Sequence, residues 1–189
     1  GIQLMIATND RLGLFSDTAG LLASHSVSVR SAVLNTIDGI AVNTWRVDKQ
    51  AVSDLPDTAY LVKQLSRLEA GEGGILNSVQ RREARAHSSG AVPNPYLELV
   101  RGASETAAVV EVRTADRAGL LYTLGRSLSD IRLSIRSAHI STLAGQAIDT
   151  FYITEVDGSA PSPSRAREAM DALTAAAGIP AASGATAPS

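Results

Sequence analysis

The sequence predicts an α+β fold built from two copies of one β-α-β-β-α-(β) module, with antiparallel sheets and helices on one face. Three observations lead there. Residues 3–48 align without a gap on residues 109–154, with about 14 of the 46 positions identical, and such a repeat means the chain is read as two units. Each copy places an apolar run, a helical stripe and a β-rich pair in the same order. Each β-rich pair is split by a hairpin turn, Asp38-Gly39 in one copy and Ala144-Gly145 in the other.

In copy one, residues 4–7 (Leu-Met-Ile-Ala) form an apolar run suited to a strand. Asn9-Asp10-Arg11 is a turn. From Gly13 the spacing becomes helical, with Leu14, Thr18 and Leu22 on one line and Phe15 and Ala19 beside it, ending near His25-Ser26. Residues 27–37 and 40–47 are the two strands of the hairpin. In copy two, residues 109–112 are the first strand, Leu120, Leu124 and Leu128 the helical stripe, and residues 133–143 and 147–153 the hairpin.

Between the copies, residues 57–70 read as a helix with Leu61, Leu65 and Leu68 inward, stopped by Gly71-Glu72-Gly73-Gly74. Residues 75–85 read as another helix, and its Arg81-Arg82-Glu83-Ala84-Arg85 cluster as a solvated face. Residues 87–95 are loop-like. Residues 96–100 (Tyr-Leu-Glu-Leu-Val) alternate and are expected to close copy one. Copy two has its second helix at residues 163–176, with Ala169, Met170 and Leu173 inward, and no visible closing strand. The expected boundaries are therefore 1–101 for module one, including an extended helical connection at about 55–95; 102–177 for module two; and a disordered, Ala-, Gly-, Pro- and Ser-rich tail at 178–189. Each module is the split β-α-β arrangement of ferredoxin-like folds.

Composition narrows the function. The 189 residues are 44% apolar but only 4% aromatic, which predicts small aliphatic cores. A net charge of −2 argues against a nucleic-acid footprint. Without Cys there is no disulfide or thiolate site, and His25, His87 and His139 lack ligand spacing, so no metal site is expected. No apolar run reaches the length of a membrane helix, and a cytoplasmic protein is expected. Gly1 opens directly into an apolar strand, which reads as a piece of a longer protein.

Three elements are kept in both copies. The first is Asp-Arg-x-Gly-Leu, Asp10 to Leu14 and Asp116 to Leu120. Glycine permits a close backbone approach there, and the free amides of the following helical turn favour an anion such as a carboxylate. Asp10 and Asp116 suit either a helix cap or an ammonium group, and amides plus one carboxylate suit a free amino acid. The second is Ser28-x-Arg30-Ser31-Ala32, repeated from Ser134 to Ala138. The period-2 pattern slips there: Val27 and Val29, then Ala32 and Leu34; Leu133 and Ile135, then Ala138 and Ile140. That slip predicts a β-bulge at the Arg-Ser pair. The third is a polar position inside an apolar line, Asn43 and Asp149, which needs a partner: the neighbouring bulge first, otherwise a ligand. No catalytic constellation is present, and this segment is expected not to be an enzyme.

These segments resemble the ACT domain, a small-molecule sensor family. The closer resemblance is to the tandem ACT pair at the carboxyl end of the bifunctional uridylyltransferase/uridylyl-removing enzymes, the PII nucleotidyltransferases of nitrogen control, in their actinobacterial form. It is carried by Asp10 to Phe15, Asp38 to Val42, Gly102 to Ala107, Val110 to Arg113, Leu120 to Tyr122, Ser137 to Leu143 and Asp149 to Thr154. The resemblance implies a glutamine sensor that sets whether upstream, metal-dependent catalytic domains add a uridylyl group to a PII signalling protein or remove it. It implies ACT–ACT pairing within the chain and a homodimer. Carried over, the ligand-binding residues are Asp10, Arg11, Leu12, Gly13 and Ser28, with Asp116, Arg117, Ala118, Gly119 and Ser134. Leu12 and Ala118 stand where the family often has Pro, which leaves the turn less preorganised, and Ser28 and Ser134 stand where many members have Asn. Two other readings fit the same residues: a ligand-free interaction or dimerisation module, and a sensor of another amino acid attached to a biosynthetic enzyme.

Overall fold

A computed structural model describes residues 1–48, 55–87 and 94–180. The strands β1 (Ile2–Asn9), β2 (Val29–Ile37), β3 (Ile40–Val47), β4 (Tyr96–Leu99), β5 (Ala108–Ala115), β6 (Leu133–Leu143) and β7 (Gln146–Glu155) form one sheet. Its order is β1-β3-β2-β6-β7-β5-β4, and every neighbouring pair is antiparallel. The helices are α1 (Leu14–Ser24), α2 (Thr58–Glu69), α3 (Asn77–His87, entered through a 3-10 turn at Gly73–Leu76), α4 (Leu120–Asp130) and α5 (Pro163–Ala177).

The helical stripes do what their spacing predicts. Leu14, Phe15, Ala19 and Leu22 of α1 and Leu120, Leu124 and Leu128 of α4 are buried. They pack on sheet residues of the same face, Ala32, Trp45 and Val47 in copy one and Ala138, Phe151 and Ile153 in copy two. Burial on this scale is the main term holding a small α+β layer together. Helices α1 and α4 lie close enough that a Cβ on Gly125 would sit 2.7 Å from Phe15 Cδ1, and one on Gly20 would sit 2.9 Å from Tyr122 Cδ2. The opposite face of the sheet leaves Met5 and Val33 exposed.

The two copies join edge to edge through β2 and β6. Ala32 faces Ala138, Ser31 faces His139, and Val33 faces Ser137. Ala32 and Ala138 are the same position of the repeat, so a pseudo-twofold axis runs between them, as in an isologous dimer written in one chain. Both predicted bulges are present. The register shifts between Val29 and Ser31 and between Ile135 and Ser137, which makes Arg30 and Arg136 the extra residues. The bulge restores the inward parity of Ala32 and Ala138 after Val29 and Ile135, and bends each strand where it meets the other copy.

One expectation is corrected. Residues 96–100 do not close copy one. Instead β4 pairs with β5, Leu97 facing Val112 and Leu99 facing Val110, and the hydroxyl of Tyr96 donates to Glu111. The connection explains the switch: α2 and α3 run over α1, and α3 reaches α4, so the chain arrives on the side of copy two. Among the described residues no strand follows α5, and β4 occupies the outer place beside β5. Most of the expected loop at 87–95 (residues 88–93) and most of the expected disordered tail (residues 181–189) lie outside the described residues. No described helix is long and apolar enough to cross a membrane.

Candidate functional site

Each Asp-Arg-x-Gly turn is made by a glycine in the left-handed region, φ 84° at Gly13 and 87° at Gly119. That conformation is strained for any residue with a Cβ. The turns are tied to the hairpins beside them: the amide of Asp10 donates to Gly39 O at 2.9 Å and that of Asp116 to Gly145 O at 3.0 Å. The carboxylates accept from threonines of the adjoining strand, Asp10 from Thr36 at 2.6 Å and Asp116 from Thr142 at 3.1 Å. They are therefore held at the rim of the turn instead of capping the helix.

The pseudo-twofold sets each turn against the bulged strand of the other copy, and a cavity forms at each meeting. The first, about 410 Å³, is lined by Asp10, Arg11 and Gly13 of copy one together with Ser134 and Arg136 of copy two. The second, about 540 Å³, is lined by Asp116, Arg117, Ala118 and Gly119 of copy two together with Ser28 and Arg30 of copy one. Both volumes suit a small-molecule site. Nine of the ten residues singled out in the sequence thus line a cavity. Leu12 does not; its carbonyl accepts from Arg11 Nη1 at a long 3.5 Å. The first-turn residues Leu14 to Ser16 line the first cavity and Leu120 to Tyr122 the second; the Leu14 and Leu120 amides donate back to Arg11 O and Arg117 O, and the amides that follow at a helix start lack intrahelical acceptors.

The floors of the cavities are the polar positions in the apolar lines. Asn43 is 1% exposed and lines the first cavity; neither its amide nitrogen nor its oxygen has a protein hydrogen-bond partner. Asp149 is 1% exposed and lines the second, with Oδ1 unpartnered. Neither bonds the bulge, contrary to the first expectation, because their strands place them under the helix starts instead. Burial pushes the Asp149 carboxyl up to about 8; the nearby Asp116 carboxylate adds to this, and a hydrogen bond from the Ser141 amide opposes it.

The arginines differ between copies. Arg11 Nη2 lies 2.7 Å from Asp17 Oδ2, an ion pair by distance whose angle does not make a hydrogen bond. Arg117 is locked: Nε donates to Glu83 at 2.8 Å and Nη2 to Ala176 O at 3.0 Å. Glu83 is buried, and Arg82, also at the second cavity, donates to Ala23 O at 2.9 Å. The charged cluster on α3 is thus not simply a solvated face: two of its members dock on the module joint. A charge run gives no sign of this until α3 is placed. Arg30 pairs bidentately with Asp48, and Arg136 donates to Thr106. Trp45, fully buried, stacks on Phe15 with ring centroids 5.2 Å apart, and Phe15 lines the first cavity. His25 and His139 lie outside both cavities, against Tyr60 and Tyr152.

No family model matches the chain. Among curated proteins it is similar to bifunctional uridylyltransferase/uridylyl-removing enzymes. It shares 38% identity with that of Streptomyces coelicolor over 84% of this chain and 20% of the relative. The enzyme of Caulobacter vibrioides is 33% identical over 90% of this chain and 19% of its own length, and that of Rhodospirillum rubrum 31% over 82% and 17%. The chain therefore spans about a fifth of the length of these relatives. One solved structure, of a protein proposed to be a glycine cleavage system transcriptional repressor, covers 92% of this chain and 90% of its own at 13% identity; its TM-score of 0.30 is too low to carry an argument.

Proposed function

We propose, from the premise that this chain is homologous to one segment of the bifunctional uridylyltransferase/uridylyl-removing enzymes, that it is their paired ACT-type regulatory unit and that its cavities bind free glutamine. The observation that carries this reading is Asn43. A buried amide with neither atom satisfied costs stability, and such a cost is explained if a ligand completes it. A carboxamide side chain offers one acceptor and two donors, the complement of Asn43. The rest of the first cavity suits the other end of the molecule. The α1 amides and Arg11 favour an α-carboxylate, and Asp10 favours an ammonium group.

Each cavity is walled by both modules, so a ligand there bridges them. A ligand that binds better to one arrangement of the joint shifts the population toward it. In this proposal that shift is read by catalytic domains elsewhere in the parent protein, which then remove uridylyl groups from a PII signalling protein instead of adding them. The exposed sheet face, with Met5 and Val33 on it, favours a second reading in which the pair serves as an interaction module.

Trp45 separates the readings, because it stacks on Phe15, which lines the first cavity. Millimolar glutamine is expected to change its fluorescence and to give a calorimetric heat, both lost in Asn43→Leu. If glutamine and a panel of other free amino acids leave both signals flat, the sensor reading fails and the interaction reading gains. A response to another amino acid with none to glutamine replaces the ligand.

A further inference from the structure

The cavities are related by the pseudo-twofold, yet the buried polar position at their floors has diverged in charge. Asn43 and Asp149 are equivalent positions of β3 and β7, equally buried. An amide both donates and accepts, whereas a carboxylate only accepts, and a buried carboxylate is stable only beside a cation or strong donors.

We propose that Asn43 and Asp149 make the two cavities inequivalent: the Asn43 cavity takes a ligand's neutral carboxamide, while the Asp149 cavity holds a ligand's ammonium group against the buried carboxylate, so that binding there alone releases a proton and tightens with rising pH. This deepens the proposed function and rests on it.

The surroundings of Asp149 carry the argument. The charged and titratable groups facing the second cavity are Asp116 and Arg117 from the turn, Arg30 from β2, Arg82 from α3 and Tyr122 from α4. Each of the three arginines has a hydrogen-bond partner other than Asp149: Arg117 with Glu83 and Ala176, Arg30 with Asp48, and Arg82 with Ala23. The Tyr122 hydroxyl accepts from Gln80 at 2.7 Å. What remains is two carboxyl groups on one cavity: Arg30 feels the charge of Asp116, but no cation is paired with Asp149. Such a site favours positive charge from a ligand, and its own charge is otherwise reduced by holding a proton. Burial and Asp116 do keep Asp149 protonated up to about pH 8. When an ammonium group enters, the Asp149 O–H bond breaks, the proton leaves to solvent, and the carboxylate accepts from the ammonium. No such exchange is open to Asn43, which does not titrate.

The test uses the whole chain with L-glutamine as probe and the backbone amides of Gly13 and Gly119 as separate NMR reporters of the two cavities. Between pH 6.5 and 8 the Gly119 midpoint is expected to fall roughly tenfold, following the ionisation of Asp149, while the Gly13 midpoint stays put. Calorimetry in two buffers of different ionisation enthalpy is expected to show proton release on filling the second cavity. Asp149→Asn, which keeps shape and removes the titration, is expected to abolish both effects. Equal pH dependence at the two glycines, none at Gly119, or persistence in Asp149→Asn overturns this inference and leaves glutamine binding standing. No shift at either glycine over the whole pH range defeats the proposed function and this inference together.

Discussion

The two Asp-Arg-x-Gly turns have nearly the same sequence and backbone but different surroundings. The turn of copy one stands open: Arg11 rests beside Asp17 of its own helix, and a Cβ on Gly13 would meet nothing nearer than 3.8 Å. The turn of copy two is built over by α3. Arg117 is clamped by Glu83 and Ala176, and a Cβ on Gly119 would lie 2.8 Å from Val79. The same motif is therefore an open cavity edge in one copy and, in the other, a cavity edge that also anchors α3, so its role cannot be read from the motif alone.

The two arginines are expected to differ most. Arg117→Ala removes one partner of a nearly buried, hydrogen-bonded ion pair and is expected to destabilise the chain by about 3–5 kcal/mol, whereas Arg11→Ala breaks a somewhat more exposed pair that has no hydrogen bond in it and should cost about 1–2 kcal/mol. Urea unfolding of both variants checks this, and equal losses would show that α3 does not anchor copy two.

The glycines give a smaller contrast. Gly119→Ala meets both an unfavourable φ and the Val79 contact, for about 2–4 kcal/mol, while Gly13→Ala meets only the φ, for about 1 kcal/mol. Thermal unfolding of the pair measures the difference.

Next comes pH. Asp149 has a folded-state pKa above its unfolded value, so its folded form binds more protons through the interval from about 4 to about 8. Stability from this group is present below that interval and is lost as pH rises through it. Asp149→Asn is therefore expected to match the wild type at pH 4 and to become progressively more stable than it as pH rises toward 8.5. A melting-temperature gap that does not grow with pH would contradict the buried carboxyl. The smallest effect is expected at the bulges: Arg30→Ala loses an exposed pair with Asp48, about 0.5 kcal/mol, and Arg136→Ala, which loses only a bond to Thr106, about the same or less.

Much of this was legible in the sequence because local physics sets it. The parity slip at Ser28-x-Arg30-Ser31 and its repeat places both bulges at the Arg-Ser pair, where the structure has them, and the Leu120, Leu124, Leu128 stripe marks the buried face of α4. The edge taken by β4 was not legible. Alternation of Leu97 and Leu99 tells which face of a strand is buried, not which neighbour it pairs with, and that is decided by where α2 and α3 carry the chain. Arg82 and Glu83 were missed for a related reason: in a charge run, the residues that dock are known only once the opposing surface is placed. Asn43 and Asp149 were legible as polar groups needing partners, but not as cavity floors, since the cavities exist only after the two copies meet at Ala32 and Ala138.

The most direct test of the account is a crystal structure of this chain grown with glutamine. The account predicts the carboxamide on Asn43 in the first cavity, with the α-carboxylate against Arg11 and the first turn of α1. Glutamine bound away from both cavities, or an Asn43 amide bonded within the protein while glutamine demonstrably binds, would contradict it.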